Sequence, residues 1–318
     1  MGIFTKRDTP KPYEYPQCFE FMKLQQQAHW LPTEVPMGDD TADFNTDKLS
    51  PEEKNLIVNI LRFFTTGDAE VLDNYNNSLA AYFPKTEITM MLTTFAAAEV
   101  IHVWAYSQLN DTLGLPDSEY EAFKKYSEMR TKFDILHMEK LDKDATPRQI
   151  AKNLAVFGGF IEGVSLFASF CILMNFPRRN LLKNVGTIVS WSIRDENLHS
   201  QGVSYLFKEV CKEYDLLDAP FKKELYTACE DIVAAEDDFI DKCFEMGAVE
   251  GLSPDQVKGY IRYMANYRLE NLGLNTIFDV TENPLPWMDD LMSGKEHGNF
   301  FETRATEYSK GLIVGDWE

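Results

Sequence analysis

Apolar residues recur along most of the chain at intervals of three and four, the spacing that keeps one face of an α-helix buried and the other wet. Three of these stretches begin with the same chemistry. Ser50-Pro51-Glu52-Glu53, Thr146-Pro147-Arg148-Gln149 and Ser253-Pro254-Asp255-Gln256 each put a hydroxyl at the N-cap, proline at the first helical position and Glu or Gln at the third. Such side chains satisfy backbone N–H groups that a first helical turn otherwise leaves open. The pattern predicts helices at 50–83, 87–113, 118–142, 147–175, 180–214, 219–247 and 254–271. No convincing run alternates with the period of two that a strand needs. The first 45 residues and roughly the last 40 are rich in Pro, Gly and polar side chains, and are expected to wrap the surface or stay mobile.

One segment, Leu154 to Phe176 (LAVFGGFIEGVSLFASFCILMNF), carries a single charge, Glu162. Its length would span a bilayer, but a carboxylate near the middle is costly in lipid. Gly158, Gly159 and Gly163 suit close helix packing, so a core helix of a bundle is the expectation. A lone buried carboxylate then has to be paired, protonated or metal-bound.

A chain of 318 residues could hold two domains. No linker, repeat or low-complexity block divides it, so an all-α chain with one large helical domain is expected. The net charge of −20 and a pI near 4.7 argue against a nucleic-acid binder, whose phosphate contacts need clustered Lys and Arg. Five cysteines lie far apart and form no C-x-x-C, which suits reduced thiols in the cytoplasm better than a disulfide framework or a zinc site. The opening MGIFTKRDTPKPYEYP lacks the apolar run of a signal peptide.

The chemistry concentrates in two of the five histidines. Glu99-Val100-Ile101-His102 and Glu196-Asn197-Leu198-His199 are Glu-x-x-His motifs inside apolar helices. Residues three apart share a helix face, about 4.5 Å apart along the axis, so each pair can serve one ion or neighbouring ions. Asp134-Ile135-Leu136-His137 has related spacing but lies in a charged helix and reads as surface. Two such motifs plus one carboxylate from each of two further helices form the ligand pattern of ferritin-like di-iron and di-manganese bundles. Glu162 is the third-helix carboxylate. Asp68, on the aromatic stretch Phe63-Phe64-Thr65-Thr66-Gly67-Asp68, is the choice for the fourth, with Glu70 and Asp73 left open by spacing alone. Four carboxylates and two imidazoles suit iron or manganese better than zinc.

From Trp30 to the C-terminal tail the chain resembles the small subunit of class I ribonucleotide reductase. That family's ligand set maps onto Asp68, Glu99, His102, Glu162, Glu196 and His199. Its spacing from the first carboxylate to Glu99, and from Glu162 to Glu196, favours Asp68 over Glu70 and Asp73. The resemblance implies further roles. Tyr106, one turn beyond His102, matches the tyrosine that carries a stable radical in many members. Asp195 matches the carboxylate that orients the metal-bound His102. Trp30 continues the radical-transfer path, and Tyr308 hands the equivalent to the large subunit, with Glu302 linked to that transfer. The family reading implies two metal ions, iron first, with Mn/Fe or di-manganese as alternatives. It also implies a cytoplasmic homodimer, with residues 1–298 as the ferritin-like domain and 299–318 as a tail that docks to the large catalytic subunit. No nucleotide site is expected here, since neither G-x-x-x-x-G-K-[ST] nor G-x-G-x-x-G is found. The rivals are another ferritin-like di-metal oxidase, which has no need of Trp30, Asp195 and Tyr308, and a metal-storage protein.

Overall fold

The computed structural model describes residues 2–138 and 140–293. Among these the fold is helical, with no strand and one isolated bridge between Val249 and Leu252. The helices are α1 (Pro16–Gln27), α2 (Gly38–Asn45), α3 (Pro51–Asp73), α4 (Thr86–Thr112), α5 (Ser127–Met138), α6 (Pro147–Leu154), α7 (Leu166–Met174), α8 (Lys183–Tyr214), α9 (Ala219–Cys243), α10 (Pro254–Asn271) and α11 (Trp287–Ser293). All three expected capping boxes form. Ser50, Thr146 and Ser253 accept from the backbone N–H of Glu53, Gln149 and Gln256 respectively.

Several boundaries differ from the expectation. The helix expected at 50–83 is α-helical only to Asp73 and then widens into a π-helical turn, Asn74–Leu79. The segment 118–142 is not one helix but a 3₁₀ stretch, Asp117–Lys124, followed by α5. The helix at 147–175 divides into α6, a π-helical segment Ala155–Ser165 carrying Glu162, and α7. Wide turns of this kind are rare inside α-helices and are often found at functional sites.

The first 45 residues are not an irregular wrap. They contain α1, packed on α4 and α8, and α2, which meets the start of α8. Leu182, the residue before α8, has left-handed backbone geometry and offers no cap. Asp40 of α2 replaces it, accepting from the N–H groups of Val185 at 2.7 Å and Asn184 at 3.3 Å. An acid at a helix start satisfies open donors and complements the helix dipole. The N-terminal arm thereby anchors the helix that carries Asp195, Glu196 and His199.

The apolar segment through Ala155–Ser165 is a core element. Every residue from Ala155 to Met174 is buried, and it packs on α8, α9 and α10. Two stretches, Thr86–Thr112 and Pro147–Arg179, are long and apolar enough to cross a membrane, and the most apolar part of the second is wholly enclosed by the bundle. Close approach explains its glycines. A Cβ at Gly158 would lie 2.4 Å from Val203 of α8, and one at Gly163 would lie 2.7 Å from Arg268 of α10. Gly158→Ala is therefore expected to lower unfolding free energy by about 1–3 kcal/mol through overpacking. A chemical melt matching the wild type would show that the segment can move aside freely.

Candidate metal centre

Four elements converge on one buried chamber. Asp68 comes from α3, Glu99 and His102 from α4, Glu162 from the π-helical segment, and Glu196 and His199 from α8. None of the six side chains is more than 1% exposed. His199 Nδ1 lies 2.9 Å from Glu99 Oε1 and 3.5 Å from both Glu162 Oε1 and Glu196 Oε2. His102 Nδ1 lies 3.0 Å from Glu196 Oε1 and 3.4 Å from Glu99 Oε2. One donor atom from each of Glu99, Glu162, Glu196 and His199 falls within 4.8 Å of all the others.

These approaches do not have hydrogen-bond geometry. Both oxygens of Asp68, Glu99 and Glu196, Nδ1 of His102 and both ring nitrogens of His199 are buried without a hydrogen-bond partner. Leaving so many polar atoms dry and unpaired is costly in a protein interior. The electrostatics carry the same strain. Burial, aided by Glu99, pushes Asp68 well above the usual carboxylate range. Burial likewise pushes Glu162 up to about 8. Burial would raise Glu99 too, but His102 and His199 outweigh it and hold that carboxyl at about 2. Hard divalent cations would satisfy both the orphaned lone pairs and the crowded negative charge. The residues fit a metal pair on that observation.

Glu70 and Asp73 are used elsewhere. Both pair with Lys140, at 2.9 Å and 2.7 Å. His137 is exposed and sits 3.6 Å from Glu70, outside the chamber.

On the far side of His102 lies a polar relay. Asp195 Oδ2 accepts from Trp30 Nε1 at 2.7 Å and faces His102 Nε2 at 3.4 Å. The Trp30 and His102 rings stack at 5.9 Å. Arg194 donates to Asp195 Oδ1 at 3.2 and 3.1 Å and also to the carbonyl of Ala28, which pins the end of α1 to α8. Burial alone would raise the Asp195 carboxyl, but His102, Arg194 and Trp30 together hold it down at about 2. A surface cavity of about 380 Å³ opens beside Trp30 and Asp195, with Leu31, Val100 and Trp104 among its lining residues.

Tyr106 is buried beside the chamber. Its hydroxyl donates to Ser192 Oγ at 3.0 Å, and its ring stacks on Phe64 at 4.3 Å. Desolvation, with the charge of Asp68 added, raises its phenol far above the ordinary range, so it is neutral at pH 7. Two neighbours had not been singled out from sequence. Ser192 receives the Tyr106 hydroxyl, and Tyr75, on the π-helical end of α3, places its hydroxyl 2.8 Å from both oxygens of Glu162. A signal existed for Tyr75: it follows Asp68 by the same offset at which Tyr106 follows Glu99. Glu302 and Tyr308 lie outside the described residues.

Fold and chamber together define a ferritin-like helical bundle enclosing a carboxylate–histidine group able to hold metal. Comparison with known proteins narrows the class. The model of the family "Ribonucleotide reductase, small chain" matches residues 7–284. A probable ribonucleoside-diphosphate reductase small subunit of Invertebrate iridescent virus 3 is 39% identical over 333 residues, covering 100% of this chain and 88% of the viral one. Two solved structures share the fold at 21% identity. The ribonucleotide reductase R2 subunit from Clostridium botulinum superposes with a TM-score of 0.82 over 92% of this chain and 94% of its own. The dimanganese(II)-NrdF of Streptococcus sanguinis gives 0.74 over 91% and 100%. The chain belongs to the ribonucleotide reductase small-chain family and is thereby a subunit of an oxidoreductase. Membership sets aside the rival readings of a storage bundle or an unrelated di-metal oxidase.

Proposed function

We propose that the chain holds two metal ions through Asp68, Glu99, His102, Glu162, Glu196 and His199. It uses them to generate and store an oxidising equivalent, which it passes to a large catalytic subunit that reduces ribonucleotides to deoxyribonucleotides. The observation that carries this reading is Asp195 Oδ2, shared between Trp30 and His102. A ligand cluster alone would suit any di-metal bundle, whereas an indole tied to a ligand imidazole through one carboxylate suits long-range electron transfer.

Bound iron or manganese, once oxidised by dioxygen or a related oxidant, would supply the one-electron oxidising power that the side chains lack. Iron is the first choice, with Mn/Fe or two manganese ions as alternatives. The remaining chemistry belongs to the chain. Asp195 is anionic at neutral pH and takes the Nε2 proton of His102 into a hydrogen bond, which leaves Nδ1 as the metal-facing lone pair. When Trp30 is oxidised, its indole proton has an acceptor waiting at Asp195 Oδ2. Tyr106 is proposed as the store for the equivalent, with Ser192 Oγ holding its hydroxyl. Phe64 stacks on its ring and Phe170 lies against Phe64, so apolar surface keeps water and reductants away.

Glu302 and Tyr308 are proposed to extend the route to the large subunit, with residues 299–318 as the docking tail after a domain of residues 1–298. A homodimer is supported by the exposed apolar side chains Val100 and Trp104 on α4. A cytoplasmic setting is supported by five buried cysteines that form no disulfide.

Low-temperature EPR with metal analysis, on protein sedimenting as a dimer, tests this reading. Two metals per chain and an organic radical are expected for the wild type. Tyr106→Phe is expected to keep the metals and lose the radical. Persistence of the same radical in that variant would sink the Tyr106 assignment; loss of the radical with full turnover would point to storage on the metals.

A further inference from the structure

Three of the four chamber carboxylates, Asp68, Glu99 and Glu196, leave both oxygens without a hydrogen-bond partner. Glu162 differs. Tyr75 reaches both of its oxygens at 2.8 Å. The Tyr75 ring is enclosed, meeting Phe95 and His199 edge-on, each at 6.2 Å. A phenol centred between two carboxylate oxygens fixes the plane and reach of that group. Each oxygen has further lone pairs, so the contact leaves both free to bind a cation.

Chain geometry explains why a tyrosine stands there. Tyr75 follows Asp68, and Tyr106 follows Glu99, by seven residues, about two helical turns, which returns the side chain to the same face. The helices α3 and α4 pack together and run antiparallel: Phe64 meets Tyr106, whereas Tyr75, further along the chain, meets Phe95. Equal offsets on antiparallel helices send the two tyrosines to opposite ends of the chamber. Tyr106 arrives near Asp68 and gives its hydroxyl to Ser192. Tyr75 arrives at Glu162 and gives its hydroxyl to a candidate ligand. The π-helical turn Asn74–Leu79 begins where Tyr75 leaves the α-helical ladder, and Glu162 lies in the second π-helical segment.

We infer that Tyr75 is a positioning residue for Glu162 and, through it, sets the affinity of the metal position that Glu162 and His199 serve. The inference rests on the metal-pair reading above, and the test separates the two. Metal-free full-length protein is titrated with Mn(II), the free ion being followed by EPR. The wild type is expected to take up two ions. Tyr75→Phe keeps the ring and its packing and removes only the hydroxyl. It is expected to weaken one position by about 10–100-fold, as loss of a partner that orients a ligand does. The other position is expected to stay near wild type, while the metal-free melting temperature falls by a few degrees at most, as loss of one buried hydrogen bond does. Tyr75→Leu, which also lacks the hydroxyl, is expected to titrate as Tyr75→Phe does. Adding Tyr75→Phe to Glu162→Ala, which removes the acceptor, is expected to cause no further loss beyond Glu162→Ala alone, because both changes act on one interaction.

A wild type that takes up no pair of ions would overturn the metal-pair reading and this inference with it. A wild type with two ions and a Tyr75→Phe titration identical to it would overturn the positioning role alone. So would equal weakening of both positions, or a further loss in the double variant.

Discussion

Glu162→Ala is expected to give a folded protein that binds fewer than two metal ions and supports no ribonucleotide reduction. Two terms act on the metal-free fold in opposite directions. The substitution removes a carboxyl that burial pushes up to about 8, relieving a crowded acidic chamber. It also leaves the Tyr75 hydroxyl without its acceptor, which costs about 1–3 kcal/mol for a buried polar group. The metal-free melting temperature should therefore change little. Stabilisation by added metal should shrink, because a ligand that binds only the folded state raises stability with the logarithm of its concentration over its Kd. Metal content, melts with and without Mn(II), and turnover with the large subunit measure the three effects. Normal loading with two ions in Glu162→Ala would remove Glu162 from the site.

Much of this was readable from residues, and the failures have physical causes. The capping boxes at Ser50, Thr146 and Ser253 were visible because capping is local: donor and acceptor lie three residues apart. The Glu-x-x-His motifs were visible for the same reason. Asp68 was different. Spacing alone could not separate it from Glu70 and Asp73; only the family resemblance favoured it, and what sets those two apart in the structure is Lys140, distant in sequence. The N-terminal arm was misread because its helices depend on tertiary partners. In α1 no side chain supplies an N-cap hydrogen bond, and its helix is held by packing on α4 and by Arg194 binding Ala28. The π-helical segment Ala155–Ser165 was invisible because hydrophobic periodicity loses its meaning where every residue is buried. Ser192 and Tyr75 escaped notice because Ser and Tyr are common in helices and only the fold gives them partners.

Trp30→Phe is expected to separate making the oxidising equivalent from delivering it. Trp30 ligates nothing and lies across Asp195 from the chamber, so metal content and the stored radical should persist. Phenylalanine lacks the N–H that donates to Asp195 at 2.7 Å, and its ring is far harder to oxidise than indole. Asp195 keeps His102 and Arg194 as partners, so the orientation of the ligand imidazole should survive. The smaller ring removes buried volume, and the resulting destabilisation of about 1–3 kcal/mol is one that a large domain can absorb. Turnover should fall at least about a hundredfold, equivalent to ~2.7 kcal/mol of lost transition-state stabilisation. Tyr308→Phe, in the tail beyond the described residues, should give the same split for a parallel reason, since phenylalanine has no phenolic proton to release. Metal analysis and radical quantitation on the isolated subunit, followed by turnover with the large subunit, read both variants. Full turnover by Trp30→Phe would show that the route does not pass through the indole. Loss of metal or of the radical would show instead that Trp30 acts on assembly of the chamber, which the relay geometry through Asp195 argues against.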